Sequence, residues 1–225
     1  MRKYDPDLPL IAIHVPKAAG TSIREIYHEW FGENLYLHYF NEKRGELPAR
    51  VELVDKVTGK PRPGICIYGH FNKNRGFGIH SYYPEVEQFV TILRDPFELA
   101  VSEYFYLKKA QHVMLDKSHV PATALAEYLD SITPNMLNHF PFEMTLENYE
   151  EIIDKYFIHI GITEDLETSM RVIATKLGFE VPASIRQLNI TERTEEVPYD
   201  IKQNYIRKHP VEYAVYEFAR ENFTK

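Results

Sequence analysis

Cysteine is almost missing from this chain. A single one, Cys66, stands in the apolar run GICIY among 225 residues. An intramolecular disulfide is therefore impossible, and the thiol reads as a reduced, buried small hydrophobe in a cytoplasmic protein. Long apolar runs are missing too. The N-terminus, MRKYDPDLPLIAIHV, places acidic residues and prolines before only a few apolar ones, too short for a membrane span and unlike a signal peptide. Nothing marks the chain for export or anchoring, and no membrane partner is expected. Positive charge is not in excess: 26 Lys+Arg stand against 33 Asp+Glu, a formal net charge of -7. There is no global field to attract nucleic acid or an anionic membrane, although local basic patches are compatible with that balance. Ten histidines are present, but no H-E-x-x-H or paired Cys/His spacing accompanies them, so no metal is expected. Internal repeats and low-complexity tracts are also missing.

What is present is an ordinary globular composition, 44% hydrophobic and 26% charged, in a chain short enough to form a single domain over residues 1–225. Apolar, β-prone runs recur at Pro9 to Val15, Ile65 to Tyr68, Gln88 to Leu93 and Phe157 to Gly161. Helical patterns follow them. Ile23, Ile26, Tyr27 and Trp30 share one face behind a Ser22/Glu25 pair with capping-box spacing, and Asp95-Pro96 with Glu98 specifies another helix start. A third helix, Thr163 to Leu177, closes at Gly178. The tail from Asn204 to Phe223 reads as one or two helices separated near Pro210. Alternating strands and helices predict an α/β fold of the P-loop-like, three-layer kind, with a central, mostly parallel sheet flanked by helices. Excursions are expected around 40–64, 71–87 and 110–145, the last resembling a lid or side wall.

In such a sheet, ligands bind where strands pass into helices at their carboxyl ends. Two corners of this type stand out. The first, HVPKAAGTSIREIY from His14 to Tyr27, follows a strand and opens a helix. Its small residues Ala18, Ala19 and Gly20 let backbone N–H groups approach an anion, Lys17 adds a charge, and Thr21 and Ser22 add hydroxyls. Lys17 precedes the glycine, whereas a nucleotide P-loop has its lysine directly before the hydroxyl residue. A simple turn with a solvent-exposed lysine is the plainer reading. At the second corner Arg94 ends a strand and Ser102 lies eight positions later. An arginine fork and a hydroxyl on one face suit a terminal phosphate, provided the helix crosses close to the first loop. The plainer reading pairs Arg94 with Asp95 and packs Ser102 mid-helix.

Together the two corners resemble the sulfotransferases that use 3'-phosphoadenosine 5'-phosphosulfate (PAPS). The run His14-Val15-Pro16-Lys17-Ala18-Ala19-Gly20-Thr21-Ser22 is similar to their 5'-phosphosulfate loop. Ile92-Leu93-Arg94-Asp95-Pro96, followed by Ala100 to Phe105, is similar to their 3'-phosphate strand and helix. Weaker likeness extends through Gly161 to Leu166 with Ser169, and through the closing helix from His209 to Phe223. The carbohydrate-type branch is nearest, in particular the 2-O-sulfotransferases of heparan and dermatan type, which carry a Gly-His that maps onto Gly69-His70.

The resemblance implies sulfuryl transfer from PAPS to a glycan or small-molecule hydroxyl, leaving 3',5'-diphosphoadenosine and needing no metal. Pro16, Lys17, Ala18, Ala19, Gly20, Thr21 and Ser22 would hold the 5'-phosphosulfate, Lys17 facing the leaving oxygen. Arg94 and Ser102 would hold the 3'-phosphate. His70 is the preferred base and His80 the runner-up; His14 either lines the cleft or packs against the strand. Arg186, Asn189 and Arg193 are placed where a C-terminal loop closes over the nucleotide. The aromatic loop from Asn72 to Tyr83 either offers ring faces to an acceptor or packs down to the core. Two alternatives stay open: an ATP-dependent small-molecule kinase, and a non-catalytic nucleotide-binding protein of degenerate sulfotransferase fold.

Overall fold

A computed structural model describes residues 2–112, 117, 120–185 and 197–223. Its sheet has five parallel strands: β1 Leu10–His14, β2 Leu35–His38, β3 Cys66–Gly69, β4 Phe89–Leu93 and β5 Phe157–Ile162, in the order β2-β3-β1-β4-β5. The helices are α1 Gly20–Phe31, α2 Ile79–Tyr82, α3 Pro96–Ala110, α4 Leu125–Ser131, α5 Tyr149–Tyr156, α6 Leu166–Leu177, α7 Tyr199–Lys208 and α8 Pro210–Phe223.

The two-residue period of a strand divides β1 between two cores. Leu10 and Ala12 pack with Ile23, Ile26 and Tyr27 of α1 and with Met170 and Ile173 of α6. Ile11 and Ile13 face the other layer, with Ile153 of α5 and Val215 and Ala219 of α8. Helices therefore cover both faces, which a parallel sheet needs to bury its apolar strands. A third cluster joins Phe97, Val101 and Tyr104 of α3 to Leu125 and Leu129 of α4 and Tyr205 of α7.

The expected strands are all present, and β2 is an addition. Its four residues, LYLH, form an edge strand with only His38 buried, too short and too exposed to give an apolar run. Helix starts divide in an informative way. Asp95 caps α3, its carboxylate accepting from the Glu98 amide at 3.0 Å with Pro96 at the first position. α1, by contrast, begins at Gly20 behind Ala19, with no side-chain cap, so Ser22 lies inside the first turn and the expected capping box is not formed. The excursion at 40–64 carries two isolated antiparallel bridges, Asn41–Glu46 and Val54–Pro61. No helix among the described residues is long and apolar enough to cross a membrane.

Candidate active site

Parallel register brings three strand ends to one edge. Ile13 pairs with Gly69 and His14 with Ile92, so the residues that follow, Lys17, His70 and Arg94, leave neighbouring strands on the same side. Arg94 donates from a guanidinium nitrogen to the carbonyl of Lys17 at 3.2 Å, joining the two corners directly. Asp95 is engaged elsewhere. Its carboxylate accepts from the Glu98 amide and the Tyr213 hydroxyl and lies 3.5 Å from the Lys202 amine, while its own amide donates to Glu164.

The loop between β1 and α1 has an uncommon backbone. Lys17 and Ala19 both hold positive φ, 66° and 57°, a region that side-chain-bearing residues seldom enter and that costs about 1–2 kcal/mol each. A backbone that passes in and out of this region turns successive N–H groups toward one point, which makes an anion cradle. The N-terminus of α1, without a side-chain cap at Ala19, adds its dipole there, while the Ser22 and Ile23 amides donate to the Ala19 carbonyl at 3.1 and 3.3 Å. The Lys17 amine lies 4.0 Å from the centre of the Tyr106 ring, so α3 does cross the loop. Ser102, buried, stands one turn before Tyr106 on α3 and therefore on the same helix face. The Lys17 ammonium is held below the usual lysine range, first by burial and then by Arg94, with Glu103 opposing.

Behind the loop stand three imidazoles. The His14 and His70 ring centres are 4.3 Å apart and those of His70 and His139 5.8 Å. Tyr39 bridges the first pair, its hydroxyl 2.9 Å from His14 Nδ1 and its ring 4.9 Å from that of His70. All three are held neutral chiefly by burial: His14 titrates well below the ordinary range, His70 at about 4 and His139 at about 3. The Arg75 charge also lowers His70. Arg75 itself is clasped by Glu42 at 2.7 and 3.3 Å.

His80 is exposed on α2, with none of these partners. The aromatic loop is mainly core: Phe71, Phe77 and Tyr83 are buried around His38, whose ring stacks on Phe71 at 4.5 Å. Arg186, Asn189 and Arg193 lie outside the described residues. Tyr39, His139 and Tyr106 went unnoticed in the sequence. Each lies far along the chain from the group it meets, with no local pattern to mark it. Among the described residues no group of three His, Cys, Asp or Glu side chains could hold a metal ion.

No family model matches the chain. It is 24% identical to heparan sulfate 2-O-sulfotransferase 1 of Xenopus laevis over 97% of its own length and 71% of that protein. The Gallus gallus protein of the same name matches with the same identity and coverage. The chain is similar to sulfotransferases along nearly its whole length. A sulfotransferase from Alicyclobacillus acidocaldarius shares the fold, with a TM-score of 0.51 and 11% identity over 96% of both chains. In this sulfotransferase-like chain the loop before α1, the Arg94 corner and the imidazole row open at one sheet edge.

Proposed function

We propose that this sulfotransferase moves a sulfuryl group from PAPS to a hydroxyl of a glycan or a related small molecule, with in-line geometry. The observation that carries the reading is the Arg94–Lys17 contact, which makes one continuous anion surface of two corners more than seventy residues apart in sequence. PAPS has two anionic ends, and the residues fit them. The cradle from Pro16 to Ser22 suits the 5'-phosphosulfate, and Arg94 with Ser102 suits the 3'-phosphate. When bound, PAPS supplies the activated sulfuryl group.

The chain's own groups do the rest. The Lys17 ammonium neutralises charge growing on the leaving oxygen, and the α1 dipole assists it. His70 accepts the acceptor hydroxyl proton, a role that requires the neutral imidazole its burial enforces. At about 4 in the free protein it is a weak base. A polyanionic cofactor bound nearby raises its basicity, so base strength arrives together with the substrate. The glycan relatives support a sugar hydroxyl as acceptor. The kinase alternative is not favoured, because Asp95, the strand-end carboxylate it would use, already serves as a cap and tie. A cytoplasmic location belongs to the proposal and is supported by the lone Cys66, which is fully buried; cell fractionation checks it.

Calorimetry of 3',5'-diphosphoadenosine against AMP and ATP tests the central point. Preference for the 3'-phosphate is the expected result. A folded protein that binds all three alike would defeat it.

A further inference from the structure

Gly20 has a neighbour that explains it. A Cβ built at this position would lie 1.6 Å from His14 Nε2 and 2.1 Å from Cε1, so the imidazole occupies the space of the missing side chain. Conformation does not require the glycine: Gly20 is not among the positive-φ residues, and it begins an ordinary helix. His14 is enclosed on its other sides as well. Its ring stacks on Tyr68 at 5.5 Å and meets the Tyr39 ring edge at 5.9 Å. Tyr68 in turn donates its hydroxyl to the Gly20 carbonyl at 2.8 Å, closing a ring of contacts from the loop back to the histidine.

A ring so confined presents a fixed face to whatever touches it, and that neighbour is His70. We propose that His14 is a positioning residue. Seated in the space left by Gly20 and hydrogen-bonded with Tyr39, it sets the orientation of the His70 imidazole relative to the phosphate loop. One side chain thus couples the anion cradle to the proton-accepting group, and the glycine that looks like an aid to phosphate approach is the seat of a histidine. The inference rests on the sulfotransferase reading of His70 as base. The coupling itself is a property of the unliganded chain.

A double-mutant cycle on the full chain tests the seat. Gly20→Ala should lower the midpoint of thermal unfolding by about 5 °C or more. The same change in a His14→Ala background should cost less than about a third of that, because the obstructing ring is gone. Equal costs in the two backgrounds would overturn the seat.

The positioning is read from His70 by NMR of 15N-histidine-labelled protein. His14→Leu keeps bulk but loses the hydrogen bond, and it should shift or split the His70 ring resonances. His14→Gln, whose amide can meet the Tyr39 hydroxyl, should bring them back toward wild type. His70 resonances unmoved in His14→Leu would overturn the role. Failure of the sulfotransferase reading shows separately, as no binding of 3',5'-diphosphoadenosine by the wild-type chain, and leaves both ligand-free measurements readable.

Discussion

Arg94 donates to the backbone carbonyl of Lys17 across 3.2 Å. The bond places a guanidinium at the end of β4 against the loop that leaves β1, so the side chain that would hold one phosphate also braces the cradle for the other. Arg94→Ala removes both. The affinity for 3',5'-diphosphoadenosine should fall by about 10- to 150-fold, the equivalent of one charged hydrogen-bonding group at about 1.5–3 kcal/mol, while AMP loses much less. Arg94→Lys should recover under half of the loss, because the fork is not restored. Calorimetry with the two nucleotides measures the difference.

Lys17→Ala separates binding from rate. The amine is partly buried over Tyr106 and beside Arg94, and its charge matters most when the leaving oxygen gains charge. Transfer of labelled sulfate from PAPS should slow by about 10²–10³-fold. Diphosphoadenosine affinity should fall by less than about tenfold, because the loop amides and Arg94 remain.

The acid limb of activity should lie unusually low. His70 must be neutral to accept a proton, and in the free protein it is neutral above about 4 because burial, then Arg75, disfavour its charge. The kcat/KM profile, which reports the free protein, should therefore stay level down to near pH 5 and fall below it. The kcat limb should sit higher, since bound anions favour the imidazolium. An acid limb in kcat/KM at the ordinary histidine value of 6.5 would remove His70 from the role.

Stability should also fall in acid, and the sign follows from buried imidazoles. His38 and His70 titrate at about 4 and His139 and His159 at about 3 when folded, below the unfolded value. Their contribution is complete above pH 6.5 and is lost as pH falls toward those folded values. Glu212 works the other way: burial raises it to about 7, so its contribution is complete below its unfolded value and is lost as pH rises through 7. His14, also held well below the ordinary range by burial, adds to the other histidines, so unfolding at pH 5 should take up about four protons net. Thermal midpoints between pH 5 and 6.5, analysed with the calorimetric enthalpy, give that number.

Gly161→Ala probes a joint away from the chemistry. A Cβ there would meet Ser169 Cβ at 2.6 Å, and the Ser169 hydroxyl both accepts from the Ile162 amide at 2.8 Å and donates to the Ile162 carbonyl at 2.9 Å. The substitution should destabilise by about 1–3 kcal/mol, seen in denaturant midpoints, with diphosphoadenosine affinity unchanged in the folded fraction.

The strands β1, β3, β4 and β5 and the start of α3 were legible because burial on both faces and capping leave local marks, as in QFVTIL and in Asp95-Pro96 with Glu98. Edge strand β2 left none, its side chains being half in solvent. At the site, the Lys17 loop and the Arg94 corner could be read singly. Their contact could not, since it depends on which strands are neighbours. The start of α1 was misread for a physical reason: Ser22 has the chemistry of a cap, but the left-handed turns at Lys17 and Ala19 put the cap at Ala19, three residues earlier. Gly20 was read as room for a phosphate, while the ring that fills its space, His14, was visible only in three dimensions.

The position of β1 in the middle of the sheet sets an order of assembly. Its neighbours are β3 on one side and β4 on the other, and both follow it in the chain by more than fifty residues. The loop after β1 is therefore synthesised before its partner at Arg94, by several seconds at about 5–20 residues per second. Until then the segment before α1 lacks the brace that ties it to the second corner. The contact between the two corners is thus acquired late in synthesis, when β4 docks against β1, and that long-range closure is the step expected to limit folding.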